Sequence, residues 1–297
     1  MAARTTVAAV LVPATRGHYE RLLSLVAEVR ADAPDAVHRM RVATRRLRSL
    51  LGTFSDAFPP AATVTVRAEL RWLGGVLGAA RDAEVLAERF GDLIDAQPTD
   101  LLLGSVHQRL VGTQEDLYRA AHARVVDVLD GPRFAALCAL LDEVTSGGHA
   151  VPTETTVRGG LDAAYRKLER ARRTARKTTR RTASDSSGAD AAWHRVRKRA
   201  KRLRYAAETV AARDASAAAL AAAAESVQTL LGERQDGVLA RARILDAARQ
   251  ARDDDEDTFA YGVLYAVERE HADRAPDELA DRLRSVRKAY RGLDFRG

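Results

Sequence analysis

A chain of 297 residues carrying 48 Lys and Arg against 41 Asp and Glu, with 43 of those cations arginine, is net basic and long enough for one large domain or two ordinary ones. Its single cysteine, Cys138, excludes an intrachain disulfide and a cysteine-based zinc site, which fits a reducing compartment. No stretch approaches the roughly 20 apolar residues of a membrane span, so the expectation is a soluble, cytoplasmic protein with no membrane partner.

Alanine, leucine and arginine abound, apolar residues recur at three- and four-residue spacing, and no alternating run suggests a strand, so the predicted fold class is all-α. The N-terminal apolar run TVAAVLVPA ends at Pro13 without a signal-peptide pattern. Breaks then fall at Pro34, Pro59-Pro60, Pro98, Asp130-Gly131-Pro132, SGGHAVPTE (146–154), SDSSGAD (184–190), DDDED (253–257) and Pro276. They divide the chain into about a dozen helices of ordinary length. SGGHAVPTE is the expected boundary between a first bundle, 15–147, and a second, 154–293. DDDED reads as a solvated connection.

The first motif, VHRMRVATRRLRSLLGTF (37–54), places His38, Arg41, Arg45 and Arg48 within about 80° of one another on a helix. Met40, Ala43, Leu47, Leu50, Leu51 and Phe54 form the opposite, packing stripe. The second, WHRVRKRAKRLRYAAETV (193–210), repeats the rail as His194, Arg197, Lys201 and Arg204, with Tyr205 joining it as a hydrogen-bond donor. Solvated helix faces mix signs and gain i,i+4 pairs, but no acid lies between His38 and Ser55 or between His194 and Ala207. Repelling neighbours such as Arg41–Arg45 and Arg197–Lys201 predict an anionic partner.

The likeness extends further. VLGAARDAEVL (76–86) aligns with LLGERQDGVL (230–239), pairing Gly78 with Gly232 and Asp82 with Asp236. LLLGSV (101–106) aligns with FAYGVL (259–264), pairing Gly104 with Gly262. Three matches in one order at nearly constant offset predict two homologous halves related by a pseudo-two-fold axis. Asp82 and Asp236 read as caps of the helices that follow. Further cations stand in YRKLERARRTARKTTRR (165–181), where Arg166, Arg170, Arg173 and Lys177 share one helix face. YRAAHAR (118–124) adds a thinner set, Arg119 and His122 among it.

Catalysis has little support in the sequence. There is no GxxxxGK[ST] loop, and no acidic cluster lies among the rails to hold Mg²⁺. The expectation is therefore a binding protein, not an enzyme, with no catalytic residue, no metal and no cofactor. Nucleic acid is the rival ligand on charge grounds, although stacking aromatics are scarce on the rails and no helix-turn-helix or zinc-finger spacing occurs. Docking on an acidic partner protein is the third reading.

VHRMRVATRRLRSLL with LGAARDAEVL, followed by WHRVRKRAKRLRYAAE with LGERQDGVL, resembles the CHAD domain, the conserved histidine α-helical domain. The likeness covers about Thr15 to Leu293, and the ExExK signature of an accompanying CYTH domain is not found, as in a stand-alone member. The resemblance implies two helical bundles facing each other across a basic groove or pore that binds inorganic polyphosphate, with polyphosphate granules a possible location. Carried over, His38, Arg41, Arg45, Arg48, His194, Arg197, Lys201 and Arg204 become binding residues. The turn residue Arg81 is matched by Gln235, with Arg234 one position earlier as its substitute.

Overall fold

Helix-forming residues with apolar side chains every three or four positions must each bury one stripe, and every element here solves that by packing on other helices. The computed structural model describes residues 7–146, 156–181, 186–211, 214–273 and 276–294. Among them all regular structure is helical: α1 (Val7–Ser24), α2 (Val26–Arg30), α3 (Ala36–Thr53), α4 (Pro60–Asp95), α5 (Thr113–Asp130), α6 (Pro132–Thr145), α7 (Val157–Arg181), α8 (Ser186–Ala211), α9 (Ala215–Asp253), α10 (Phe259–Asp273) and α11 (Pro276–Arg291). A π-helical turn, Gln108–Gly112, leads into α5. Pro60 and Pro132 start their helices where the missing N–H is harmless. Asp214 caps α9, accepting from the backbone N–H of Ser216 at 2.7 Å and Ala217 at 3.1 Å.

Several expectations are corrected. α4 and α9, with 36 and 39 residues, are far longer than ordinary helices. The Leu-Gly-x-x-x-Asp segments lie inside those helices, so they are not turns, and Asp82 and Asp236 cap nothing. Ser186–Asp190, read as loop, forms the start of α8, while 182–185 lie outside the described residues. Gly104 sits in a loop with φ 74°, whereas its mate Gly262 lies within α10, so the third matched pair shares no conformation. Of the proposed boundary, Ser146 closes α6 and 147–154 lie outside the described residues.

One apolar cluster runs through α1, α3, the first part of α4, α5 to α8, the first part of α9 and α11, so both halves of the sequence share it. A second joins the far ends of α4 and α9 to residues 106–111 and α10. There Arg89 donates to Glu268 through two bonds of 2.7 Å, and Glu268 is 1 % exposed. The acidic run is more than a solvated connection, because Asp254 and Glu256 each approach Arg109 at 2.6 Å.

The main core sets a test of packing. A Cβ on Gly160 would stand 2.2 Å from Cε1 of Phe54, which is 1 % exposed. Gly160→Ala is expected to destabilise the fold by about 1–3 kcal/mol, despite alanine's better helix propensity. A thermal melt shows this as a fall of several degrees. Gly159→Ala, whose new Cβ meets only Thr156 Oγ1 at 3.3 Å, should cause no comparable loss.

Candidate functional site

The packing stripe of α3 fixes where its cations go. With Met40, Ala43, Leu47, Leu50 and Leu51 buried, Arg41, Arg45 and Arg48 are turned to one side. α8 packs on α3 and buries Val196, Ala200, Leu203 and Ala207. Between these helices and α4 lies a cavity of about 560 Å³. Eleven of its sixteen lining residues are Lys or Arg, and none is Asp or Glu. α3 supplies Arg41, Arg45 and Arg48; α4 supplies Arg67 and Arg71; α8 supplies Arg195, Arg197, Lys198, Arg199, Lys201 and Arg202. His194, Tyr205, Thr44, Ser49 and Gly74 complete the wall.

Crowding like charges inside a protein should disfavour their charged forms. Burial first, then Arg45, Arg197, Arg41 and Arg48, push the Lys201 ammonium down from 10.5 to about 6. Burial with neighbouring arginines also lowers Arg45, Arg48 and Arg202, although guanidinium stays charged at neutral pH. His194 is pushed below its ordinary value by burial, then by Lys198, Arg197 and Lys201. Its Nδ1 and the Nε atoms of Arg45, Arg67 and Arg197 are buried without a hydrogen-bond partner. Ser49 Oγ is a fifth such atom in the same wall, and buried polar atoms without partners are uncommon.

Glycine gives the Arg197 guanidinium its room, while the Arg41 guanidinium lies over Gly78 at ordinary contact distance. A Cβ on Gly78 would lie 3.7 Å from Arg41 Nη2, and one on Gly232 only 3.0 Å from Arg197 Nη2. Each arginine thus lies across a long helix at a residue lacking a side chain. Arg41 reaches Asp82 at 3.1 Å. Asp236, one turn beyond Gly232, has its carboxyl pushed up by burial, opposed by Arg197 and Arg89.

The rails are used unequally. Arg204 is absent from the cavity wall because Glu208 at 2.6 Å and Glu225 at 2.9 Å engage it. His38 is not in the wall either; it is half-buried, and burial followed by Arg81 lowers its pKa. Arg81 pairs with Glu84 at 2.8 Å and Glu88 at 3.6 Å. Arg234 pairs with Asp190 at 2.9 Å in a small recess that also touches Trp193 and His194. Arg119, exposed on α5, pairs with Asp116. His122 is tied to the carbonyl of Val29 at 2.7 Å, stacks on Tyr118 and lies 3.3 Å from Asp32. Arg166, Arg170 and Arg173 are exposed on α7 and line no part of the cavity.

Sequence reasoning missed Arg67 and Arg71, whose i,i+4 spacing beside Gly74-Gly75 was the available signal. It also missed Arg195, Arg199 and Arg202, a second stripe within the second motif, and Lys198 beside it. Among the described residues, no group of three His, Cys, Asp or Glu is placed to hold a metal ion, and no helix is long and apolar enough to cross a membrane.

An all-helical fold whose two histidine-led helices meet over a cationic cavity defines the class, and a comparison with known families matches residues 14–245 to the CHAD domain. The chain belongs to the CHAD domain family. It is 41% identical over 276 residues to the uncharacterized proteins MT2285 and Rv2226 of two Mycobacterium tuberculosis strains, covering 92% of this chain and 52% of each relative. The chain thus spans about half the length of the curated relatives it matches. Its fold is similar to that of PptA from Streptomyces chartreusis, with a TM-score of 0.69, 20% identity, and coverage of 96% of this chain and 99% of that one. The CHAD domain from the plant Ricinus communis aligns with a TM-score of 0.64 and 24% identity, covering 97% of this chain and 92% of that one.

Proposed function

We propose that the cavity between α3, α4 and α8 binds linear inorganic polyphosphate without chemical change, the two sequence halves forming a pseudo-symmetric pair that grips one chain from both sides. The observation that carries this reading is the wall itself, with eleven Lys or Arg and no carboxylate in about 560 Å³. Such a wall holds itself together poorly until an anion of high charge density enters. A thin polyanion fits that space, whereas a duplex does not. A single-stranded nucleic acid would want stacking surfaces, and Tyr205 is the only aromatic residue in the wall. The association of CHAD proteins with inorganic polyphosphate supports the same ligand. Adaptor docking on an acidic protein surface suits a recessed wall less well, since a folded partner cannot enter it.

Titration calorimetry with tripolyphosphate, long-chain polyphosphate, orthophosphate and duplex DNA tests the proposal. Both polyphosphates should bind at phosphate concentrations where DNA and orthophosphate do not. By analogy with DNA neutralisation, log K for the long chain should fall against log salt with a slope of several units. An affinity indifferent to salt, or DNA displacing polyphosphate at equal phosphate, would refute it. Orthophosphate should not accumulate over hours with Mg²⁺ or Mn²⁺; its accumulation, abolished by His38→Ala or His194→Ala, would make the protein an enzyme.

A further inference from the structure

We propose that the outer face of α7 is a second anion-binding surface, a track along which a polyphosphate chain too long for the cavity continues after leaving it. This inference rests on the reading of the cavity given above.

Arg166, Arg170, Arg173, Lys177 and Arg180 follow one another at steps of four, three, four and three residues, so they form one stripe on α7. The stripe runs about 21 Å along the helix. All five side chains are exposed, and none has an ion-pair partner among the described residues. The two carboxylates of α7 are committed elsewhere. Asp162 accepts from Arg158 at 3.0 Å and from Tyr290 at 2.8 Å. Glu169 is held by Arg172 through bonds of 3.0 and 2.9 Å.

Other exposed faces of the molecule follow the ordinary rule and interleave charge. On α11, Arg282 pairs with Glu278 and Arg284 with Asp281; on α9, Arg249 pairs with Asp246. The stripe on α7 does the opposite, leaving repelling neighbours three and four residues apart. Toward its C-terminal end, Arg172, Arg173, Arg176, Lys177 and Arg180 surround an open recess of about 420 Å³.

Position links this stripe to the cavity. Trp193 Nε1 donates to Thr179 Oγ1 at 3.1 Å, which holds the last turn of α7 beside the start of the basic motif of α8. His194, Arg195 and Lys198, the next residues along α8, line the cavity. Arg180, which follows Thr179 in the sequence, is the end of the stripe next to this contact. The stripe carries no aromatic residue for stacking bases, since Tyr165 at its edge is already stacked on Tyr290 with centroids 3.6 Å apart. Extra phosphates on an already bound chain reach the stripe at high effective concentration.

The test compares the parent with the triple variant Arg170→Glu/Arg173→Glu/Lys177→Glu, using tripolyphosphate, long-chain polyphosphate and duplex DNA. The expected result is at least a tenfold loss of affinity for the long chain, with its salt slope lower by about two units or more. Tripolyphosphate affinity should stay within twofold, and the melting temperature should not fall, because the changes relieve repulsion on an exposed face. Unchanged long-chain affinity overturns the track alone, as does an equal loss for both polyphosphate lengths, which would signify only a change of overall charge. A variant that loses only DNA binding would show the stripe to be a nucleic-acid surface instead. Failure of the parent to bind either polyphosphate overturns the cavity reading, and the track with it.

Discussion

Arg45→Glu is expected to weaken tripolyphosphate binding at least 100-fold while leaving the melting temperature unchanged or higher. Arg45 stands in the cavity wall with its Nε unpartnered, and its charge is disfavoured by burial and by Arg41 and Arg204. The reversal removes an attraction and adds a repulsion in a confined site. An exposed ion pair is worth about 0–1 kcal/mol, but losing a desolvated charge contact costs about 2–5 kcal/mol. The predicted loss corresponds to roughly 2.7 kcal/mol. Stability should hold because a carboxylate among arginines replaces a like charge with an opposite one. Lys201→Glu, from the facing helix, should behave alike. Calorimetric stoichiometry decides whether they serve one ligand: one equivalent for the parent and one, weakened, for each variant. Two equivalents falling to one at full affinity would mean that α3 and α8 hold separate chains.

How far the sequence foretold this site depends on which residues one asks about. The α3 cations were legible because a helix has a fixed period: once Met40, Leu47 and Leu50 pack, Arg41, Arg45 and Arg48 must turn away. The all-helical class followed from the same periodicity. The α4 contribution was hidden by glycine. Gly78 reads as part of a turn, yet α4 runs straight through it, as through Gly74 and Gly75, and Gly78 lies under Arg41. A close approach that only glycine allows occurs on α9, where a Cβ on Gly232 would stand 3.0 Å from Arg197 Nη2, and only tertiary structure reveals it. Nor could repetition show that equivalent residues act differently. Arg48 faces the cavity, but its mate Arg204 is held by Glu208 and Glu225; Arg202 lines the wall, but its mate Arg46 lies 3.1 Å from Glu208. One carboxylate, Glu208, thus engages an arginine from each motif, and that asymmetry arises only when α3 meets α8.

Lys201 carries the last prediction, that anion binding takes up a proton. Its folded pKa of about 6 leaves the amine largely neutral at pH 7.5. A polyphosphate in the cavity favours the ammonium and raises that pKa, so uptake should approach one proton per ligand between pH 7.5 and 8. Affinity should accordingly fall as pH rises through this window, by at most about tenfold per unit. Calorimetry in two buffers of different ionisation enthalpy measures the uptake directly, and Lys201→Met should abolish it. Equal uptake in that variant would place the proton elsewhere. Stability has the complementary dependence. Because the folded pKa lies below the unfolded one, the penalty for burying this lysine is absent above about 10.5, grows as pH falls, and is complete below about 6. Lys201→Met should therefore melt a few degrees above the parent at pH 6, on the order of 1–2 kcal/mol, with the gap narrowing toward pH 9. A gap that stays constant across that range would show that methionine acts through packing, with the charge on Lys201 playing no part.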